Sequence, residues 1–586
     1  MWGKVNYDKR QKLEFLRAQL ERERASFEKQ WRDLNDYILP RRGRFFVTDS
    51  NRGDRRNLHI LDTTATLAVR TLRSGMMGGV TSPARPWFRL STSNPEMADS
   101  GPVKQWLYDV GERMRTLFIR SNLYNVLPIT YGDMGTFGTA AIYMERDPKF
   151  GLRFFSFPIG SYMISQDSNH VVNTFYREFQ MTVGQIVEKF GRTNPDKPMD
   201  IDWSNISSMV KGLYEARNAE AWVQIAHCIR PNDNHDSKKL ESKYKKFESI
   251  YYERGVAGKS TASGFQGPSG IDADKFLSEK GYDYFPVMCP RWETTGEDVY
   301  GTNCPGMTVI GDVKQLQTGE KRSLQAIEKM VNPPMIAPTA MKKAKTSVLP
   351  GDITYADTRD GNAGFRPVYE TRFDIQALES KQEQVRKRIQ RGFYEDLFLM
   401  LAQSDRRQIT ATEIDERREE KLLALGPVLE QLNQDLLDPL IDNVFFEMME
   451  MGMLPEPPEE LAEADLKVEY ISIMAQAQKL VGVSGVERFT NFVSGVAQIA
   501  PGILDKVNGD ELVEVYGQFT SIPPGIVRDQ EEVNAVRQKQ AEAQAQQQKA
   551  EQAQMAASAM KDLSQAPMDD GSALAAAMQG GGIGEG

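Results

Sequence analysis

The sequence predicts an α+β chain, mainly helical and built of several lobes. Three observations predict it. Residues 372–452 carry two long apolar stripes at helical spacing. Residues 137–180 and 221–255 hold β-rich runs bounded by Gly, Pro and Asp. The chain has 586 residues, which at roughly 150 per domain makes about four lobes. Its hydrophobic content of 40% and charged content of 26% describe an ample globular core.

Taken in order, residues 1–40 read as a helix with Leu13, Leu16, Leu20 and Phe27 on one side, ending at Pro40. This N-terminus is charged throughout and lacks the apolar segment of a signal peptide. Arg41, Arg42, Arg44, Arg52, Arg55 and Arg56 follow in a Gly-containing loop. A charge run is weak evidence by itself, so a solvated loop or a subunit contact ranks ahead of a nucleic-acid contact. Residues 60–80 form a helix closed by Gly78-Gly79, and TSPARPWFRL turns into a short strand. Residues 102–125 are amphipathic, with Trp106, Val110, Met114 and Phe118. FGTAAIYMERD, LRFFSFPIGSYMISQD and VVNTFYREFQM make a meander or small sandwich, and VGQIVEKFG a short helix. AWVQIAHCIRP and FESIYYERG are further strands around a Lys-rich loop at 238–246. Residues 1–305 are thus one α+β lobe.

A turn-rich hinge, YGTNCPGM, leads into a helix over 312–331 with Val313, Leu316, Leu324, Ile327 and Val331 inward. Asn332-Pro333-Pro334 stops it, because a residue before proline leaves the helical region. Residues 333–371 are short extended pieces. In 372–403 the row Leu378, Val385, Ile389, Phe393, Leu397 predicts the returning helix, so the whole is a helical hairpin with a small tip. Thr410-x-x-Glu413 fits a capping box, which leaves 404–409 as a loop. Leu422, Leu425, Leu429, Leu432, Leu436 and Leu440 mark the next helix, broken at Gly426-Pro427 and Asp438-Pro439. LKVEYIS is a strand, and 473–520 is helical with Gly breaks, ended by SIPPG. Residues 531–586 begin as an Ala/Gln-rich helix that needs neighbouring copies and end as a disordered tail.

The chemistry-bearing residues are sparse. Cys228, Cys289 and Cys304 form neither a CxxC pair nor a disulfide framework, which fits a reducing cytoplasm. The four histidines are not at metal-ligand spacing, and no HExxH or GxSxG occurs. Gly255-Val-Ala-Gly258-Lys259-Ser260 is the nearest approach to a P-loop, with two residues between its glycines where four are needed and Glu253 in the place of the first Gly. No cofactor, metal or catalytic residue is expected, and no apolar run is long enough to span a membrane. The net charge of −9 argues against clinging to nucleic acid, since affinity comes from neutralising phosphates. It suits a protein that touches DNA weakly and lets it slide. The alternatives are a nucleotide-driven motor or nuclease using Lys259, and a purely structural ring adaptor.

FYEDLF, the polar loop, ITATEIDERREEKLLALGPVLEQLNQDLLDPLI and GMLPEPPEEL together resemble the bacteriophage head-to-tail connecting proteins, the portal proteins of short-tailed phages. LDTTATLAVRTLRSGMMGGVTSPARPWFRL, VVNTFYREFQMTVGQIVEKFG, YGTNCPG, NPPMIAP and VEYISIMAQAQKL resemble the same family, so the likeness covers about 10–540. It implies a multi-lobed portal fold and a ring of twelve copies at one capsid vertex of the virion, made in the host cytoplasm, with double-stranded DNA passing through. Mapped here, the wing is 1–305 together with the kinked helix and strand of 410–472. The stem helices are 306–332 and 372–403, the clip 333–371 and the crown 473–530. The channel loop, 404–409, holds Ser404, Asp405, Arg406, Arg407 and Gln408. Arg406 and Arg407 either touch phosphate transiently or pair with Asp405 or a neighbour's Glu413. Lys314, Lys381, Arg386, Lys387 and Arg388 are the candidate channel-wall residues. Charge is nearly balanced over Arg372–Gln403, with six basic and five acidic residues. Lys342, Lys343 and Lys345 in the clip would dock the terminase large subunit, which carries the hydrolysis, and then the adaptor and tail proteins. Major capsid and scaffolding proteins are the remaining expected partners. The loop at 404–409 and the lysines at 238–246 are individual to this sequence.

Overall fold

Alternation in the strands and 3.6-residue stripes in the helices sort apolar side chains onto two faces of one sheet. In the computed structural model that sheet has five antiparallel strands. They are β4 (Tyr162–Gln166), β5 (Val172–Thr182), β6 (Trp222–Pro231), β7 (Phe247–Val256) and β8 (Ser278–Tyr282), in that order. The structure describes residues 2–47, 56–92, 101–192, 200–256, 272, 274–337, 339, 342, 366–367, 375–404, 425–461, 466–471, 489–490, 492–496, 507–509, 511–513 and 530–564. Two compact units make up the chain: Met1–Ser93 with Gln105–Asn491, and Asn94–Lys104 with Phe492–Gly586.

In the first unit, α1 (Trp2–Tyr37) lays Leu13 and Leu20 on one face of the sheet, against Tyr176, Cys228, Ile250 and Tyr252. The opposite face packs Val223, Ile225 and Tyr251 under α5 (Val183–Ile186), its π-helical continuation Val187–Gly191, and α6 (Ser208–Glu215). Residues 223 and 225 face one way and 226 and 228 the other, as a period of two requires. A second sheet pairs β3 (Gly151–Ser156) with β2 (Ile142–Asp147) and β2 with β9 (Val287–Met288). β1 (Phe88–Thr92) pairs antiparallel with β12 (Leu466–Tyr470), joining segments far apart in the chain.

The helices are α2 (Thr64–Gly79), α3 (Gly101–Arg120), α4 (Leu123–Phe137), α7 (Pro305–Val331), α8 (Ile375–Gly392), α9 (Glu395–Ser404) and α10 (Asp438–Glu450). In the second unit, α11 (Gln530–Ser564) is a single helix of 35 residues, exposed from Arg537 to Ser558.

Several expectations are corrected. The sequence pattern assigns no element to 126–136, where the structure has most of the helix α4. It contains Pro128 and two glycines and is buried nearly all round, so it carries no amphipathic period to detect. α7 begins at Pro305, seven residues before the helix expected over 312–331 and one before the stem bound at 306. Proline suits a first helical turn, where its missing N–H would be unpaired anyway. The returning helix is two helices: at Tyr394 the backbone turns left-handed (φ 57°), between buried Phe393 and α9. Asp438-Pro439 does not end its helix. A π-turn over Asn433–Leu437 precedes it, so the helix passes the proline with its stripe of Leu425, Leu429, Leu432, Leu436 and Leu440 buried. Gly426-Pro427 lies in the first described turn. Leu422 and the Thr410–Glu413 box lie outside the described residues.

Candidate functional site: the helical hairpin

α7 and α8 run antiparallel. Arg388 pairs with Asp312 (2.7 Å), Arg386 with Glu320 (2.6 Å), and Gln382 Nε2 donates to Ser323 Oγ (2.8 Å). The partners' numbers fall on one helix as they rise on the other. Gly392 lets the helices approach: a Cβ there would overlap Val309. Val385, Ile389, Phe393 and Leu397 are buried as the stripe requires, and α9 packs on α2, where a Cβ on Gly75 would overlap the Phe398 ring.

The hairpin is tied to the rest of its unit at three polar points. Lys314 of α7 pairs with Asp33 of α1 (2.6 Å). Arg386 also reaches Asp62 (2.8 Å), which accepts from the Thr64 backbone N–H at the start of α2 (2.8 Å). Burial pushes the Asp62 carboxyl up, but the Thr64 and Arg386 hydrogen bonds outweigh it and hold the group below the ordinary carboxylate value. Buried Gln317 accepts from the Leu61 and Asp62 backbone N–H groups (2.6 and 2.9 Å) and donates to Asp62 O (2.7 Å).

The distal half of the hairpin differs. Leu324, Ile327 and Val331 were expected inward but are 58%, 43% and 80% exposed, and Leu378 is 39% exposed. Polar Gln382 takes the inter-helix position opposite Ser323, and the apolar row beyond it stays exposed. Below it, β10 (Met335–Ile336) pairs with β11 (Arg366–Pro367), placing a two-stranded ribbon in the expected tip.

Of the candidate channel-wall residues, Lys314, Arg386 and Arg388 are therefore engaged in ion pairs within the chain. Lys381 and Lys387 are exposed and have no ion-pair partner among the described residues. Ser404 is the last residue of α9, and Asp405, Arg406, Arg407 and Gln408 lie outside the described residues. Lys342 is exposed; Lys343 and Lys345 lie outside the described residues.

Sequence reading missed a second brace. Arg291 is 2% exposed and holds Asp435 of the π-turn through Nε and one terminal nitrogen (2.9 and 3.0 Å), while also donating to Gln166 Oε1 and His170 O. Nearby, Arg146 binds Glu447 and Glu450, and Tyr284 donates to Glu447. These partners are 121 to 304 residues apart, so no spacing rule reveals them.

The start of the P-loop-like run lies in a strand. Gly255 and Val256 pair with Gln224 and Val223 in the β6–β7 ladder, and Glu253 is spent on the Ser207 N–H and hydroxyl (3.0 and 2.5 Å). A strand uses its amides on its neighbour and offers no phosphate cradle. Lys259 and Ser260 lie outside the described residues. Among the described residues no three His, Cys, Asp or Glu side chains gather as a metal site, and no helix is long and apolar enough to cross a membrane.

Residues 10–527 match the profile of the family described as bacteriophage head to tail connecting protein. The portal protein of Salmonella phage epsilon15 is 44% identical over 559 residues, covering 95% of this chain and 96% of the relative. The probable portal protein of Bordetella phage BPP-1 is 41% identical over 525 residues, covering 90% of each. By this match over most of its length and by these two relatives, the chain belongs to the bacteriophage head to tail connecting proteins.

Proposed function

We propose that copies of this chain close into a ring, with twelve as the family's number, at one capsid vertex. DNA is packaged and ejected through its bore. The observation that carries this reading is the uncovered row Leu324, Ile327, Val331 and Leu378. Each such side chain contributes about 1.5–3 kcal/mol when buried, and a neighbouring hairpin is the surface that matches it in length. The first unit is then the wing and its α7–α8 hairpin the stem, with the β10–β11 ribbon as the clip. The loop at 404–409 faces the channel, and α11 associates with its counterparts.

Charge supports a conducting bore. Lys314, Arg386 and Arg388 are neutralised within the chain. Lys381 and Lys387 remain for weak phosphate contacts, and Arg406 and Arg407 add transient ones. Every phosphate neutralised would add affinity and slow transit. Lys342, Lys343 and Lys345 dock the terminase and later the tail adaptor. Leu324→Asp with Val331→Asp tests the reading: the protein should fold with unchanged far-UV circular dichroism but sediment as monomer. Rings that survive both substitutions would overturn the stem assignment.

A further inference from the structure

A cavity of about 240 Å³ opens between α1, the loop after it and the edge of the five-stranded sheet. Arg17, Arg24 and Arg177 line it with Phe46, Phe157 and Phe179. Its carboxylates are already committed: Glu21 to Arg17 (2.8 Å) and Glu178 to Arg254 (2.5 Å). Arg24 and Arg177 have no carboxylate partner among the described residues. Arg24 gives one bond, to Gly160 O (2.8 Å), and its Nε is shut off from solvent without a partner. Arg177 lies between the Phe157 and Phe179 rings (4.3 and 4.0 Å to the centroids), and its Nε is likewise buried and unpaired. Burial lowers the Arg177 pKa, and nearby Tyr251, Tyr143 and Glu145 offset only part of that effect.

We infer that this cavity binds a carboxylate carried on an apolar or aromatic stem, as an acidic segment of a partner protein presents it. The aromatic walls receive the stem, and the two guanidinium groups receive the carboxylate through charge-assisted bonds. The volume is below the roughly 300–1,000 Å³ of small-molecule sites, which suits one side chain and excludes a nucleotide. Glu21 and Glu178 at the wall oppose a dianionic phosphate and favour a single negative charge. The inference is independent of the ring, because every group lies within one unit of one chain.

Saturation-transfer NMR on the full-length protein tests it, with 3-phenylpropionate and acetyl-Phe-Glu-amide as probes and 3-phenylpropanol and inorganic phosphate as controls. Both carboxylate probes should bind and compete with each other. The alcohol should bind at least about tenfold more weakly, the loss expected for a hydrogen bond to a charged group. Arg177→Met should remove binding. Arg24→Gln, which changes only one half-buried side chain at the wall, should weaken it about tenfold with the circular dichroism unchanged. The inference is overturned by wild-type protein that binds neither carboxylate, by phosphate displacing the probes at equal concentration, or by a folded Arg24→Gln protein that binds as tightly as wild type.

Discussion

Arg291→Met should loosen the helix that runs through the π-turn into α10 more than any exposed-charge substitution. The side chain is 2% exposed, and Asp435, its partner, retains only the Arg291 backbone N–H (3.2 Å) and Gln431 Nε2 (2.9 Å) once the guanidinium is gone. Removing one member of a buried pair costs about 3–5 kcal/mol, because the other charge stays buried and uncompensated. At 1.4 kcal/mol per factor of ten, that is a hundredfold to a few thousandfold loss of protection in hydrogen exchange. The loss should appear in α10 and the π-turn over Asn433–Leu437, and not on the far strands β7 and β8. Arg291→Met with Asp435→Leu removes both charges at similar volume and should restore most of the protection. Loss of less than about tenfold in the single variant, or no recovery in the double, would refute the view that this pair braces the helix.

Other expectations follow from the same geometry. Gly75→Val should destabilise the α2–α9 contact by about 1–3 kcal/mol, seen as a lower urea midpoint, because the Phe398 ring occupies the space. Arg386→Met leaves Asp62 and Glu320 facing each other without their cation and should cost about 2–3 kcal/mol in α8 exchange protection. His227 is buried on the Tyr251 ring with Nε2 3.0 Å from Ser249 Oγ, and burial sets its pKa well below 6.5. Between those two pKa values the unfolded chain holds a proton that the folded chain does not. Stability is therefore complete above about pH 6.5 and is lost as pH falls, by at most about 1.4 kcal/mol per unit. Unfolding of His227→Gln across pH 4.5–7 should lack that slope.

Local pattern made much of the fold legible. β5, β6 and β7 alternate or run apolar between turn residues, and α1, α2 and the hairpin show stripes, so their existence followed from period alone. Asn332-Pro333-Pro334 marked the end of α7 within a residue. What escaped had physical reasons. α4 is buried on all sides and shows no stripe. The turn at Tyr394 rests on one left-handed residue that is not glycine. The stripe on α7 predicted burial, but a stripe does not say which surface covers it, and the residues of its second half are exposed in this chain. The candidate basic residues looked alike in sequence. Only packing separates Arg386 and Arg388, which are bound to Asp62, Glu320 and Asp312, from exposed Lys381 and Lys387.

On the proposed function, this chain is one sector of a conducting ring. Electron microscopy of the purified full-length protein tests it most directly. The account predicts closed rings with a bore wide enough for duplex DNA, and with Leu324, Ile327 and Val331 of one copy against the hairpin of the next. Monomers under all conditions, or a ring whose bore cannot admit a duplex, would contradict it.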